Sequence, residues 1–252
     1  MPRPPLSAVL ITRNADRLLG QVLHALSWCE EILVVDSGST DRTLEIARTH
    51  GARLLPHEFE GYGPQKAWAV SQASHDWVLV VDGDEIVTPE LRAEIEARLE
   101  RDAASFAGFE IPISLVFLGR LMRHGGEYRM RHLRLYDRRR GNYNQNRVHE
   151  RVELDGPVGR LEHHMLHDSY GSIEAYFAKF NDYTTAGAVD LAARGRTAGV
   201  AMIALRFPLT FIRQYLIRGH VLNGYPGFIW SLFSAMYPVV KYAKLREMTR
   251  PR

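Results

Sequence analysis

Dense apolar runs and helical stripes alternate along the first hundred residues. "LSAVLIT" (6–12), "EILVVD" (31–36), "ARLLPH" (52–57) and "WVLVV" (77–81) are short, rich in Val, Ile and Leu, and closed by polar residues. That pattern predicts strands, the denser ones buried on both faces. Between them, "ADRLLGQVLHALSW" carries Leu18, Leu19, Val22, Leu23 and Leu26 at helical spacing, "STDRTLEIARTH" opens on cap residues, and "GPQKAWAVSQAS" is again helical. A further helix, "TPELRAEIEARLE", follows with Thr88 or Asp84 placed to cap it. Strands alternating with helices predict an α/β fold with a mostly parallel, Rossmann-like sheet and ligands beyond the carboxyl ends of the strands, where Asp36 and Asp82 fall.

From Phe106 the helices drop out. "FAGFEIPISLVFLG", "HLRLYDRR" and "RVELDG" predict an antiparallel edge or a small second sheet. Beyond Ser172 the chain turns helical, with Ile173, Tyr176, Phe177, Phe180 and Tyr183 as one apolar stripe. The last fifty residues are aromatic and aliphatic with basic residues spaced through them. Between Gly219 and Val240 there is no Asp, Glu, Lys or Arg, yet Asn223, Gly224, Pro226, Gly227 and Pro238 interrupt the run. An interfacial segment is therefore expected in place of a continuous spanning helix, the alternative being a helical pair packed on its own domain or on a second subunit as a homo-oligomer.

Composition narrows the class. At 252 residues and 46% hydrophobic, the chain can bury a full core. A single cysteine, Cys29, excludes an intramolecular disulfide and a thiolate zinc cluster, and its surroundings favour a packed thiol. No cleavable signal peptide is evident, so the protein is expected to stay in the cytoplasm where it is made. The net charge of +3 is too mild to imply nucleic acid.

The chemistry gathers at strand ends. Asp82, Gly83 and Asp84 form a D-G-D turn, and two carboxylates with a glycine between them suit a hard cation, Mg²⁺ or Mn²⁺, that takes its other ligands from water and a diphosphate. The small-residue loop Ser37 to Thr40 after Asp36 offers N–H groups and hydroxyls to a nucleotide, or forms a plain helix cap on Ser39 or Thr40. Neither G-x-G-x-x-G nor G-x-x-x-x-G-K-[ST] occurs, which removes the main support for dinucleotide oxidoreductases and P-loop kinases. Ile86, two beyond Asp84, weakens an aspartyl-phosphate hydrolase reading. His163 and His167 in "EHHMLHDS" are four apart, a spacing that does not converge on zinc from a strand or loop.

"AVLITRN", "EILVVDSGSTDRTLEIA", "GPQKAWAVSQASHDWVLVVDGDE" and "RLYDRRRGNYNQNRVHE", in that order, resemble the motifs of family 2 glycosyltransferases, inverting nucleotide-sugar enzymes with a GT-A fold. The resemblance implies a catalytic domain over residues 1–170, with a nucleotide-sugar half (1–105) and an acceptor half (106–170), followed by a helical, membrane-associating region (171–252). It implies that Thr12, Arg13, Asn14 and Asp36 hold uracil and ribose, with Ser39 in the same loop. Lys66 would lie near base and phosphates, Asp82 would face the ribose, and Asp84 would take the metal with a late histidine, His167. Glu150 matches the base position and His149 would orient it. Arg131 and Arg134 would bind acceptor phosphates, or else form a solvated basic strand edge.

Within the family, "HGGEYRMRHLRLYDRR", "RVHERVELDGPVGRLEHHMLHDSY" and the aromatic-basic tail resemble the subgroup that adds glucose to the inner-core heptose of lipopolysaccharide. That subgroup shows Trp-Tyr-Pro after the paired glycines, where this chain has Glu127, Tyr128 and Arg129. The expected activity is transfer of a hexose from a UDP-sugar to a lipid-linked glycan at the inner-membrane surface. Rival readings are another glycolipid or exopolysaccharide acceptor, or a non-catalytic scaffold that keeps the nucleotide-sugar fold.

Overall fold

A computed structural model describes residues 2–146 and 150–250. The parallel strands are β1 (Leu6–Thr12), β2 (Glu31–Asp36), β3 (Arg53–Pro56) and β4 (Trp77–Val80), joined through α1 (Leu19–Ala25), α2 (Thr43–Thr49) and α3 (Tyr62–Ser71). After β5 (Glu85–Val87), the helix α4 (Pro89–Asp102) starts on Thr88, whose hydroxyl accepts the Leu91 N–H, with Pro89 at the position where a missing donor costs nothing. The antiparallel strands are β6 (Gly108–Phe117), β7 (Arg120–Leu121), β8 (Met130–Asp137), β9 (Gly141–Tyr143), β10 (Val152–Leu154) and β12 (Met165–Tyr170), while β11 (Val158–Arg160) lies parallel to β6.

The main sheet runs β3-β2-β1-β4-β8-β6-β12-β5, with β7 and β11 paired to β6, and β9-β10 forms a separate ribbon. The late strands thus both extend the sheet and make a small second one. Alternation along β1 splits the core in two. Leu6, Ala8 and Leu10 face α1, α2 and α4 with Leu19, Leu23, Val34, Leu79 and Ile95, and Val9 faces α3 with Leu33, Val35, Val70, Val78 and Tyr136. Trp77 to Val81 are at most 3% exposed, as a strand covered on both faces requires.

The chain divides into two compact units, residues 1–114 with 129–167, and residues 115–128 with 168–252. The second unit therefore takes a hairpin from the middle of the chain, which a linear reading of 171–252 left out. It contains α5 (Ile173–Ala193), α6 (Val200–Ile212) continued by a π turn (Arg213–Ile217), a 3-10 turn (His220–Asn223) and α7 (Gly224–Thr249). Tyr176 and Phe180 of α5 pack with Phe117, Met122 and Phe233, whereas Ile173 and Tyr183 at the ends of the expected stripe are exposed.

The break expected around Pro226 and Pro238 falls earlier, and α7 runs unbroken for 26 residues. Pro226 occupies its first turn, where its missing N–H has no partner to lose, and the helix runs on through Pro238. Gly227 is required by contact, because the His220 carbonyl lies where a Cβ would stand.

Candidate active site

The register of β1 and β2 pairs Thr12 with Asp36, so both reach the same end of the sheet. There the Thr12 hydroxyl donates to Asp36 Oδ1 (3.1 Å), and Asp36 Oδ2 accepts the Gly38 and Ser39 N–H groups at 2.9 and 2.8 Å. Asn14, at φ 51°, locks the neighbouring loop: its N–H donates to Ser39 Oγ and its Oδ1 accepts the Thr40 N–H, both at 2.8 Å. Asparagine tolerates this left-handed backbone better than most residues. Asp36 thus shapes the loop itself, and Ser39 is bound within it. Arg13 is exposed beside it.

One strand over, Val81 N–H closes onto the Val9 carbonyl and the chain leaves the sheet as the D-G-D turn. Beneath the turn sits Glu85, 1% exposed, accepting the Asp82 N–H at 2.9 Å. Arg134 reaches this point because β8 runs antiparallel to β4 with Leu79 opposite Leu135. Its guanidinium donates to Asp82 Oδ2 and Glu85 Oε1, each at 2.8 Å. Lys66, projecting from α3, stands 3.0 Å from Asp82 Oδ1 and 3.0 Å from Glu150 Oε1, over the Tyr143 ring.

The electrostatics follow from these contacts. Burial opposes charge on Asp82, but Arg134 and Lys66 overcome it and hold the carboxyl well below the usual range. Burial likewise works against the Lys66 ammonium, and the Asp82 and Glu150 carboxylates raise it above the ordinary lysine value. Glu85 is raised, chiefly by burial and then by the nearby Asp82 charge, against the pull of Arg134.

The antiparallel pairing of β12 with β5 sets His167 opposite Glu85, and its Nε2 lies 3.4 Å from Asp84 Oδ1. Burial would lower His167; the hydrogen bond and charge of Asp84 raise it. Donors on adjacent vertices of an octahedral ion with ~2.1 Å bonds are roughly 3 Å apart, so an oxygen and an imidazole nitrogen at this separation fit one divalent cation. Among the described residues no group of three or more His, Cys, Asp or Glu is arranged to hold a metal, so water and diphosphate would complete the shell.

Other expected residues lie elsewhere. His149 falls outside the described residues. Arg131 donates to the Leu161 carbonyl and pairs with Glu162 at 3.3 Å. Arg134 is not on a solvated strand edge: it is 8% exposed and turned onto Asp82 and Glu85, away from the acceptor-phosphate role expected of it. His163 is taken by Glu94 at 2.9 Å.

Three supports lay beyond the sequence reading. Gln65, fully buried, donates to Ser37 Oγ (3.0 Å) while His57 Nδ1 lies 2.9 Å from its Oε1. Tyr143 floors the Lys66 ammonium. At Gly63 a Cβ would strike the Asn144 and Asn146 carbonyls, so residues 144–146 lie directly on the start of α3. A polar residue on the buried side of a helix was the one available signal for Gln65.

The model of glycosyl transferase family 2 matches residues 7–152. A lipopolysaccharide core biosynthesis glycosyltransferase, LpsC of Rhizobium meliloti, is 29% identical, covering 98% of this chain and 94% of that protein. An uncharacterised glycosyltransferase of Rickettsia typhi is 28% identical over 97% of this chain and 87% of its own. Among solved structures, S. aureus TarS (1–349) aligns with a TM-score of 0.49 at 15% identity, covering 96% of this chain and 90% of that one. With its strand-end carboxylates in sheet register and its motif region matched over residues 7–152, the chain belongs to glycosyl transferase family 2.

Proposed function

We propose that this glycosyltransferase is an inverting, metal-dependent hexosyltransferase. It takes a sugar, glucose first among candidates, from a UDP-sugar and delivers it to a lipid-anchored glycan such as lipopolysaccharide inner-core heptose, at the cytoplasmic face of the inner membrane. The observation that carries the reading is Lys66, 3.0 Å from both Asp82 and Glu150, which ties the carboxylate assigned to the ribose to the one assigned to the proton. The near-full-length likeness to LpsC supports the acceptor class.

Glu150 takes the proton of the acceptor hydroxyl as that oxygen bonds to C1 on the face opposite the diphosphate. The bond from C1 to the phosphate oxygen breaks, its electron pair leaves with UDP, and C1 inverts. Lys66 stays charged and orients Glu150, while Thr12, Asp36 and the Ser39 loop receive the nucleoside, with Arg13 and Asn14 at its edge. A bound Mg²⁺ or Mn²⁺, held by Asp84 and His167, would supply positive charge to the departing diphosphate.

Glu127, Tyr128 and Arg129, in place of Trp-Tyr-Pro, favour a second reading in which the acceptor is another glycolipid or an exopolysaccharide. The test of the reaction is Glu150→Gln, which keeps shape but cannot accept a proton. Single-turnover transfer should fall by roughly 10²–10⁴-fold with UDP-sugar affinity unchanged by calorimetry. Wild-type transfer by this variant removes Glu150 as the base.

A further inference from the structure

The outward face of α6 is built the wrong way round for water. Along α6 and its π turn, Leu205, Leu209, Ile212, Leu216 and Ile217 recur at helical spacing and are 47–77% exposed. None of the residues of α6 is buried. The opposite face is already occupied: Phe211 and Tyr215 pack against Phe228 with ring centroids 5.9 and 5.8 Å apart, and Arg206 lies over the Tyr242 ring at 4.3 Å. A surface helix normally turns its apolar stripe inward and its charges outward. Here both faces are apolar, and among the described residues only one has a partner.

We propose that this outward stripe is an interfacial anchor that lies in the surface of a lipid bilayer carrying anionic headgroups. Charge selects that occupant. Between Asp190 and Glu247 the sequence holds eight Lys and Arg and no acid. Arg213 and Arg218, both exposed, stand beside the Leu and Ile side chains, where their stems reach along apolar surface and their guanidinium groups meet phosphate.

A second copy of the chain fits less well, because an isologous contact through the stripe would bring Arg213 near its own copy with no acid to answer it. Residues 200–217 are long and apolar enough to cross a membrane by length and composition. A crossing helix would bury Arg206, Arg213 and Gln214 in hydrocarbon, whereas a helix lying flat keeps its packed face on α7 and its basic residues at headgroup level. The inference deepens the proposed reading by naming how the enzyme meets its lipid partner, but it rests on the helix and is read by binding, so it can fail without the transfer reaction failing.

The experiment is flotation of the full chain with vesicles of phosphatidylcholine alone or mixed with phosphatidylglycerol, at low and high salt. The wild type should float with the mixed vesicles and much less with phosphatidylcholine. Leu209→Glu with Leu216→Glu should cut binding at least about tenfold, and Arg213→Gln should cut it less and flatten the salt dependence. Both variants should keep the wild-type circular dichroism and donor hydrolysis, since these positions are exposed. Vesicle binding unchanged by the double variant overturns the proposal. So does a wild type that ignores both vesicles, and if it then sediments as a dimer that the double variant breaks, the stripe is a homodimer face.

Discussion

At Arg134 one guanidinium closes on two carboxylates that would otherwise repel each other under the D-G-D turn. Arg134→Met should therefore leave the buried Glu85 without its cation and Asp82 with Lys66 alone, costing about 3–5 kcal/mol in denaturant unfolding. Arg134→Lys, a point charge without the planar fork, should recover only part of that loss. Two residues beyond Asp82, Asp84 has a different proposed task. Asp84→Ala should leave stability nearly unchanged and lower transfer on the order of 10²–10³-fold or more, and EDTA should reproduce the defect in the wild type. Full turnover in EDTA would remove the metal from the mechanism. Asp82, Asp84, Asp36 and Lys66 were legible because strand-end acids and a lysine in "GPQK" lie in local motifs. The partner of Arg134 was not, because it depends on a β4–β8 register that joins residues some fifty positions apart.

Elements are fastened at the opposite, amino-terminal end of the parallel strands by Glu31. Its carboxylate accepts from the Ser7 hydroxyl, from Ser74 through both N–H and hydroxyl at 2.7 Å, and pairs with Arg53 at 2.8 Å. Burial pushes the Glu31 carboxyl up, but these hydrogen bonds and the Arg53 charge win and set it below the ordinary glutamate value. A carboxyl depressed in the folded state stabilises the fold fully above its unfolded value near 4.5, and that contribution is lost as pH falls through the folded value. Glu31→Gln should accordingly be less stable than wild type at neutral pH, with the gap narrowing below about pH 4.5 in urea melts. A gap constant from neutral pH down to pH 3 would deny Glu31 this role. Element types were readable from periodicity throughout the parallel half. For α6 periodicity revealed apolar residues but not which of two apolar faces the protein covers, since only packing decides that.

Across the whole molecule, the two buried cations of the described site are already matched, and the exposed Arg13 stands at the nucleoside edge. Lys66 and Arg134 stand against Asp82, Glu85 and Glu150, so even with Glu85 protonated the set is neutral and offers no surplus charge to a diphosphate. On the proposed reading the diphosphate would bring its own counter-charge, which would make the metal–nucleotide complex, rather than the bare nucleotide, the species that binds. Without divalent cation, uridine, UMP and UDP should bind with nearly equal affinity despite their different charges. With Mn²⁺ present the series should spread steeply in favour of UDP, and at a hundred times its dissociation constant UDP should stabilise the fold by about 2.7 kcal/mol in thermal melts. A protein that ranks the three nucleotides by charge in EDTA would hold uncommitted positive charge at its donor site. On the geometry of Lys66 and Arg134, and on the proposed reaction, the ladder of affinities would belong to the ion that travels with the substrate.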